Sequence, residues 1–236
     1  MNFYQLLSRH YDEVFPVSPQ DLAFIKSRLE GRRNILDVGC GTGNKTELLA
    51  GGGRRITGVD LDEDMISQAR AKHSPPGVEY LAGDMAGLGA LFPPQSFDAL
   101  ICLGNTLVHL TASGQLEKFF SDAAALLQPG GLLVIQILNY DHLWAGQVSE
   151  LPLISATGLT FRRYYDWLDA GALTFRCLLE VDGAGYESAV PLRPLYRRDL
   201  EGLTKGAFTG LEFFGAYDGR PLASDSFVSL SFCSRV

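Results

Sequence analysis

Between residues 34 and 138, short runs of almost wholly apolar residues alternate with stretches of helical spacing. The apolar runs are 34–38, 56–59, 78–81, 97–103 and 132–138, and helical patterns fill 45–50, 63–72 and 115–127. Strands without a polar face are strands covered on both sides. Crossover helices provide that cover in a parallel sheet. Gly51-Gly52-Gly53 and Pro129-Gly130 stop two of the helices. The pattern predicts an α/β chain built on a doubly wound, mostly parallel sheet, and 236 residues can bury its full core.

The rhythm changes after about Asp141. Segments 159–168, 173–181 and 186–196 look extended, with turns at Asp169-Ala170-Gly171 and Asp182-Gly183. They predict a small antiparallel β insertion, assigned to 145–196. A helix over 198–208 follows, then strands over 211–217 and 227–235 that close the sheet as an antiparallel pair. Residues 1–30 read as a helical lid broken by Pro16 and Pro19, with Leu22, Ile25 and Leu29 at helical spacing. The main domain is 31–236.

Lys plus Arg total 20 against 27 Asp plus Glu, a formal charge of −7. Phosphate backbones demand clustered cations, so no nucleic-acid partner is expected. No apolar run reaches the roughly 18–20 residues that span a bilayer, so no membrane role is expected either. The start Met1-Asn2-Phe3-Tyr4-Gln5 has no signal-peptide pattern, and the spacing of Cys40, Cys102, Cys177 and Cys233 fits neither a disulfide scaffold nor zinc. Reduced thiols in the cytoplasm and no metal are the expectation. A homo-oligomer is compatible with all of this.

The chemistry concentrates in Ile35-Leu36-Asp37-Val38-Gly39-Cys40-Gly41-Thr42-Gly43-Asn44. Alternate glycines after a buried strand remove side chains and allow positive φ, so backbone N–H groups can approach a ligand. Asn44 stands where the dinucleotide pattern G-x-G-x-x-G requires glycine. The expected ligand therefore bears adenosine without a pyrophosphate. Asp60 ends the second strand and is suited to accept both hydrogen bonds of a ribose diol; the alternative is a cap on the next helix, for which Asp62 is also available. Asp84, after the third strand, suits an adenine amino group or serves as a turn residue. Met65 suits an adenine face or the core.

Together these residues resemble class I S-adenosylmethionine-dependent methyltransferases over about 34–140. The resemblance implies a Rossmann-like fold with S-adenosylmethionine as cofactor. It places Gly39, Gly41 and Gly43, with Asp37, at the methionine part. Asp60 and Leu61 would lie at the ribose, Asp84, Met85 and Met65 at the adenine, and Leu103 and Gly104 at the amino group. Ile101-Cys102-Leu103-Gly104-Asn105-Thr106-Leu107-Val108-His109-Leu110 and Pro129-Gly130-Gly131-Leu132-Leu133-Val134-Ile135, followed by Asn139-Tyr140-Asp141, are similar to glycine N-methyltransferases. That similarity implies a small-molecule amine substrate, with Asn139 holding a carboxylate and Asn105 and Tyr140 beside it. The resemblance weakens after Leu143, and no single Arg of the insertion aligns with that family's carboxylate-binding one.

A sulfonium methyl is already activated, so alignment and exclusion of water are the main requirements. His109 is suited to accept a proton or orient the nucleophile, or to pack at a helix start. Tyr11 and Tyr4 lie in the lid, where surface packing is the alternative. Arg162 and Arg163 are suited to an anionic substrate group, but strand alternation lets only one point inward; Arg163 is the choice. The competing readings are O- or C-methylation of a small metabolite, a non-catalytic S-adenosylmethionine-binding module and, more weakly, a nicotinamide oxidoreductase.

Overall fold

The computed structural model describes residues 3–236; Met1, Asn2 and the side chain of Tyr4 lie outside the described set. Seven strands form the main sheet: β1 (Asn34–Val38), β2 (Arg55–Asp60), β3 (Val78–Ala82), β4 (Phe97–Cys102), β5 (Leu127–Leu138), β10 (Phe208–Phe214) and β11 (Val228–Arg235). Their order is β10-β11-β5-β4-β1-β2-β3. The first five pair in parallel, and β11 joins β5 antiparallel with β10 outside it. The winding therefore reverses between β1 and β4. The loops that leave these strands part in opposite directions there and open a crevice at the carboxyl edge.

Burial explains why these strands carry so few polar residues. Ile35, Ala99, Ile101 and Val134 pack into one apolar cluster, while Leu36, Leu100, Cys102 and Leu133 pack into another. Adjacent residues point to opposite faces, so each face has its own core. Helix α2 (Ala23–Arg28) leads into β1, and helices α3 (Asn44–Leu49), α4 (Glu63–Lys72), α5 (Leu88–Leu91) and α6 (Gln115–Leu126) connect the strands.

The insertion forms a separate antiparallel sheet of β6 (Ile154–Ala156), β7 (Leu159–Asp169), β8 (Ala172–Val181) and β9 (Ala184–Leu192). Helix α1 (Phe3–Val14) lies against it. Phe3, Leu6 and Leu7 of α1 share one buried cluster with Leu159, Phe161, Cys177 and Leu179, and Met65 of α4 joins it. Lid and insertion thus meet directly above the crevice.

Several boundaries depart from expectation. The helix expected over 198–208 is α8, Arg197–Leu203; Gly206 at φ +87° ends that path and β10 starts at Phe208. Extended structure expected to reach Tyr196 stops at Leu192, where Arg193 N–H turns aside to the Val108 carbonyl. Pro129-Gly130 lies inside β5 rather than before it, at a bulge where pairing jumps from Phe97–Leu127 to Ala99–Leu132. Helix α7 (Tyr140–Ala145) has no counterpart in the sequence reading, nor has the short helical stretch over 85–91.

Candidate active site

The crevice continues under α1 and the small sheet as one cavity of about 670 Å³. Its floor is the turn after β1. Gly39 and Gly41 both have positive φ, +71° and +55°. A Cβ on Gly39 would stand 2.2 Å from Thr106 Cγ2, and one on Gly41 would press the Tyr11 ring at 3.3 Å. Gly43 serves a different purpose: a Cβ there would meet the Tyr80 hydroxyl at 2.3 Å, behind the cavity wall.

Asp60 converges on that turn. Gly41 N–H donates to Asp60 Oδ2 at 2.8 Å, and Asp62 N–H to Oδ1 at 3.0 Å. Each carboxylate oxygen keeps a lone pair for another donor. Burial raises the Asp60 pKa against the pull of these two N–H bonds. Asp62 takes the helix-cap role, accepting from Asp64 and Met65 N–H at 2.8 and 3.0 Å. The cap reading of Asp60 is thereby replaced.

Asp84 stands at the rim, where it caps the short turn over 85–87 by accepting from Ala86 N–H at 2.8 Å. Met65, Leu61 and Met85 line the same end. Asp37 does not line the cavity. It lies buried beneath the turn, accepts from Thr46 Oγ1 at 2.6 Å, and burial pushes its pKa up to about 6.

At the end of β4, Gly104 and Asn105 both have positive φ, +81° and +65°. Gly104 N–H donates to Gln136 Oε1 at 2.7 Å, and the Tyr217 hydroxyl donates to the same oxygen at 2.6 Å. Leu103 is buried behind this bend, its carbonyl held by Thr106 Oγ1 at 2.8 Å. Asn105 accepts from Leu138 N–H and donates to the Tyr140 hydroxyl, each at 3.0 Å.

Asn139 and Tyr140 sit elsewhere than the resemblance implied. Asn139 caps α7, accepting from His142 N–H at 3.4 Å and donating to the Ser226 carbonyl at 2.9 Å. Both ends of its amide are committed, and it does not line the cavity. Tyr140 is fully buried and reaches the cavity wall only through Asn105 and Tyr165.

His109, Tyr11 and Arg163 all line the cavity. The His109 ring opens to the cavity and has no polar partner among the described residues. Surrounding protein pushes its pKa down, so it is neutral at pH 7. Burial first, and then Asp60, push the Tyr11 hydroxyl pKa up, which keeps it protonated. Arg163 faces inward as strand alternation requires, whereas Arg162 does not line the cavity.

Lid and floor are tied together. Thr42 Oγ1 donates to Asp12 Oδ1 at 2.5 Å, and Asn44 Nδ2 to the Phe15 carbonyl at 3.0 Å. His73 bridges Asp12 at 3.0 Å and Glu47 at 2.5 Å. Sequence reasoning did not foresee Gln136, Thr106 or this tether. Gln136 did carry a signal, as a lone polar residue in the apolar run 132–138.

Residues 35–131 match the family described as Methyltransferase domain. The solved structure of an S-adenosylmethionine-dependent methyltransferase from Clostridium acetobutylicum superposes with TM-score 0.82 over 99% of both chains, at 20% identity. Over residues 35–131 the chain is similar to that methyltransferase-domain family, and the superposition shows that it shares the fold of the solved structure. Among curated proteins similar to this chain, rabbit (Oryctolagus cuniculus) glycine N-methyltransferase is 32% identical over 49% of this chain and 44% of its own length. A fatty-acid O-methyltransferase of Mycolicibacterium smegmatis is 36% identical over 53% of this chain and 45% of its own. The chain spans about half the length of such relatives. No helix among the described residues is long and apolar enough to cross a membrane.

Proposed function

We propose that this chain is a methyltransferase that holds S-adenosylmethionine between the β1 turn and Asp60 and methylates a small molecule, with an amine nitrogen as the leading acceptor. The observation that carries the reading is the Gly41–Asp60 hydrogen bond. It joins a side-chain-free turn to a carboxylate whose spare lone pairs match a ribose diol. The groups present fit this ligand: Gly39, Gly41 and Gly104 leave backbone beside the methionine part, and Met65, Asp84 and Met85 flank the adenine end. Asp37, Gly43 and Leu103 act from behind the wall, by holding the turns.

When bound, S-adenosylmethionine supplies a sulfonium methyl activated for displacement. The chain's own task is alignment. Neutral His109 accepts a hydrogen bond or the proton lost by an attacking amine. Tyr11 stays protonated, so it orients and covers rather than acting as a base. Helix α1 excludes water. Arg163 replaces Asn139 as the group for an anionic part of the substrate. The net charge of −7 supports a small molecule over nucleic acid as partner, and four buried free thiols support a cytoplasmic setting.

A second reading is O-methylation. It is favoured by the apolar lining contributed by Leu7, Phe15, Phe161, Phe175 and Leu192. Calorimetric titration with S-adenosylhomocysteine and with NAD, followed by homocysteine-linked turnover on panels of amines and carboxylates, tests both. Methylated amine is the expected product. Binding without turnover on any acceptor would leave only a binding module, and tight NAD binding alone would end the methyltransferase reading.

A further inference from the structure

On the methyltransferase reading of this cavity, the half away from Asp60 has its own chemistry. The carboxylates that line the cavity, Asp60, Asp62 and Asp84, all follow β2 and β3. Its one cation among the described residues is Arg163, on β7. Arg163 Nη2 donates outward to the Pro152 carbonyl at 2.8 Å, but its enclosed Nε–H has no acceptor. That nitrogen is enclosed by protein, but the guanidinium as a whole lines the cavity over the Phe161 ring at 5.8 Å and pairs with no carboxylate among the described residues, so its charge calls for an anion from a ligand.

Tyr165 lies two positions further along β7, on the same face. Its hydroxyl is within 3.2 Å of the Tyr140 hydroxyl and 3.4 Å of Asn105 Nδ2. Asn105 can only donate here. Tyr140 is fully buried, and either hydroxyl of the Tyr140–Tyr165 pair can donate to the other, so one of their two hydrogens has no acceptor within the pair. Of the two, Tyr165 is the one that lines the cavity. A cation without a carboxylate partner among the described residues and a tyrosine hydroxyl therefore stand side by side. Around them the walls are apolar: Phe161, Phe175 and Leu192 on one side, Leu7 of α1 and Phe15 just beyond its end on the other.

We infer that the acceptor half receives an apolar molecule bearing one carboxylate, with the carboxylate on the Arg163 guanidinium beside Tyr165 and the apolar body between α1 and the small sheet. Glycine alone has the anion but nothing to fill the apolar walls.

The test is isothermal titration of the full chain, saturated with S-adenosylhomocysteine, with 3-phenylpropanoate, its neutral amide and glycine. The carboxylate is expected to bind at least about tenfold tighter than the amide, as suits a charge-assisted bond to an otherwise unpaired cation. Glycine should give no measurable binding. Arg163→Met should bring the carboxylate down to the amide's affinity and leave S-adenosylhomocysteine binding unchanged. Equal affinity for carboxylate and amide, glycine binding as tightly as phenylpropanoate, or no binding of either apolar probe would each overturn the inference. These comparisons stand on the unsubstituted protein should the variant not fold. Failure of S-adenosylhomocysteine itself to bind would refute the proposed function instead, and the same probes on the chain alone would still decide the anchor.

Discussion

The two halves of the cavity are built on different principles. The half proposed for the cofactor is largely backbone and acidic side chains at the ends of β1, β2 and β4, strands held by parallel neighbours, with Met65, Asp84 and Met85 at its far end. The acceptor half is made of side chains from α1 and a four-stranded sheet that docks through one apolar cluster. The first leaves little freedom, because a methyl group added to Gly39 already collides with Thr106. The second can change its lining without disturbing the sheet. On the proposed function, cofactor binding rests on the rigid half and substrate choice on the docked one.

The sharpest way to break this contrast is a pair of glycine substitutions. Gly39→Ala places its Cβ 2.2 Å from Thr106 Cγ2 at φ +71°, and S-adenosylhomocysteine affinity should fall by about 100-fold as the turn shifts. Gly52→Ala, at φ +63° with nothing within 4 Å, should cost only about 1 kcal/mol of stability and leave affinity intact. Equal losses of affinity would show that the turn is not specially constrained.

Next comes His109. His109→Gln should lower kcat by about 10–100-fold, at the modest end of general-base contributions, with cofactor affinity held within about twofold. The acid limb of the wild-type pH–kcat profile should fall below the ordinary histidine value, because burial lowers this pKa. An unchanged kcat would assign His109 to packing alone.

Asp37 probes the rigid half from beneath. Its folded pKa is raised, so the folded state keeps a proton that the unfolded chain loses. Stability from this group is full at low pH and is lost as pH rises from about 4 through about 6, a change on the order of 2–3 kcal/mol. Asp37→Asn, which can still accept from Thr46, should flatten that slope in urea melts. A slope unchanged in the variant would contradict the assignment.

The smallest effect concerns the tether of the docked half. Burial pulls the His73 pKa down, but hydrogen bonds and charge from Asp12 and Glu47 outweigh it, and the net shift is upward. Its contribution is therefore present below the ordinary histidine value and lost as pH rises through the raised one. Asp12→Asn should remove part of it, no more than about 1 kcal/mol, and speed S-adenosylhomocysteine release at low pH. Identical release rates in variant and wild type would mean that the tether does not hold the lid.

The same division explains what could be read from the chain. The strand at 34–38 and the helix at 63–72 stand where periodicity puts them, because burial on two faces, and capping by Asp62, write themselves into local residue types. Asp60 was legible for the same reason, since it ends a buried strand. The docked half is different. Alternation along 159–181 reveals strands but not what their faces meet. The tether joins residues 30 and 61 positions apart, a separation that no local pattern encodes. Asn139 shows the opposite case: a motif suggested a ligand contact, and the polar side chain caps a helix that periodicity had not revealed.

The central claim is most directly tested by calorimetric titration of S-adenosylhomocysteine into wild type and Asp60→Ala. The account expects saturable one-site binding to the wild type and a loss of about 1–3 kcal/mol in the variant, the scale of hydrogen bonds to a charged group left unmade. Wild-type affinity in Asp60→Ala would contradict it.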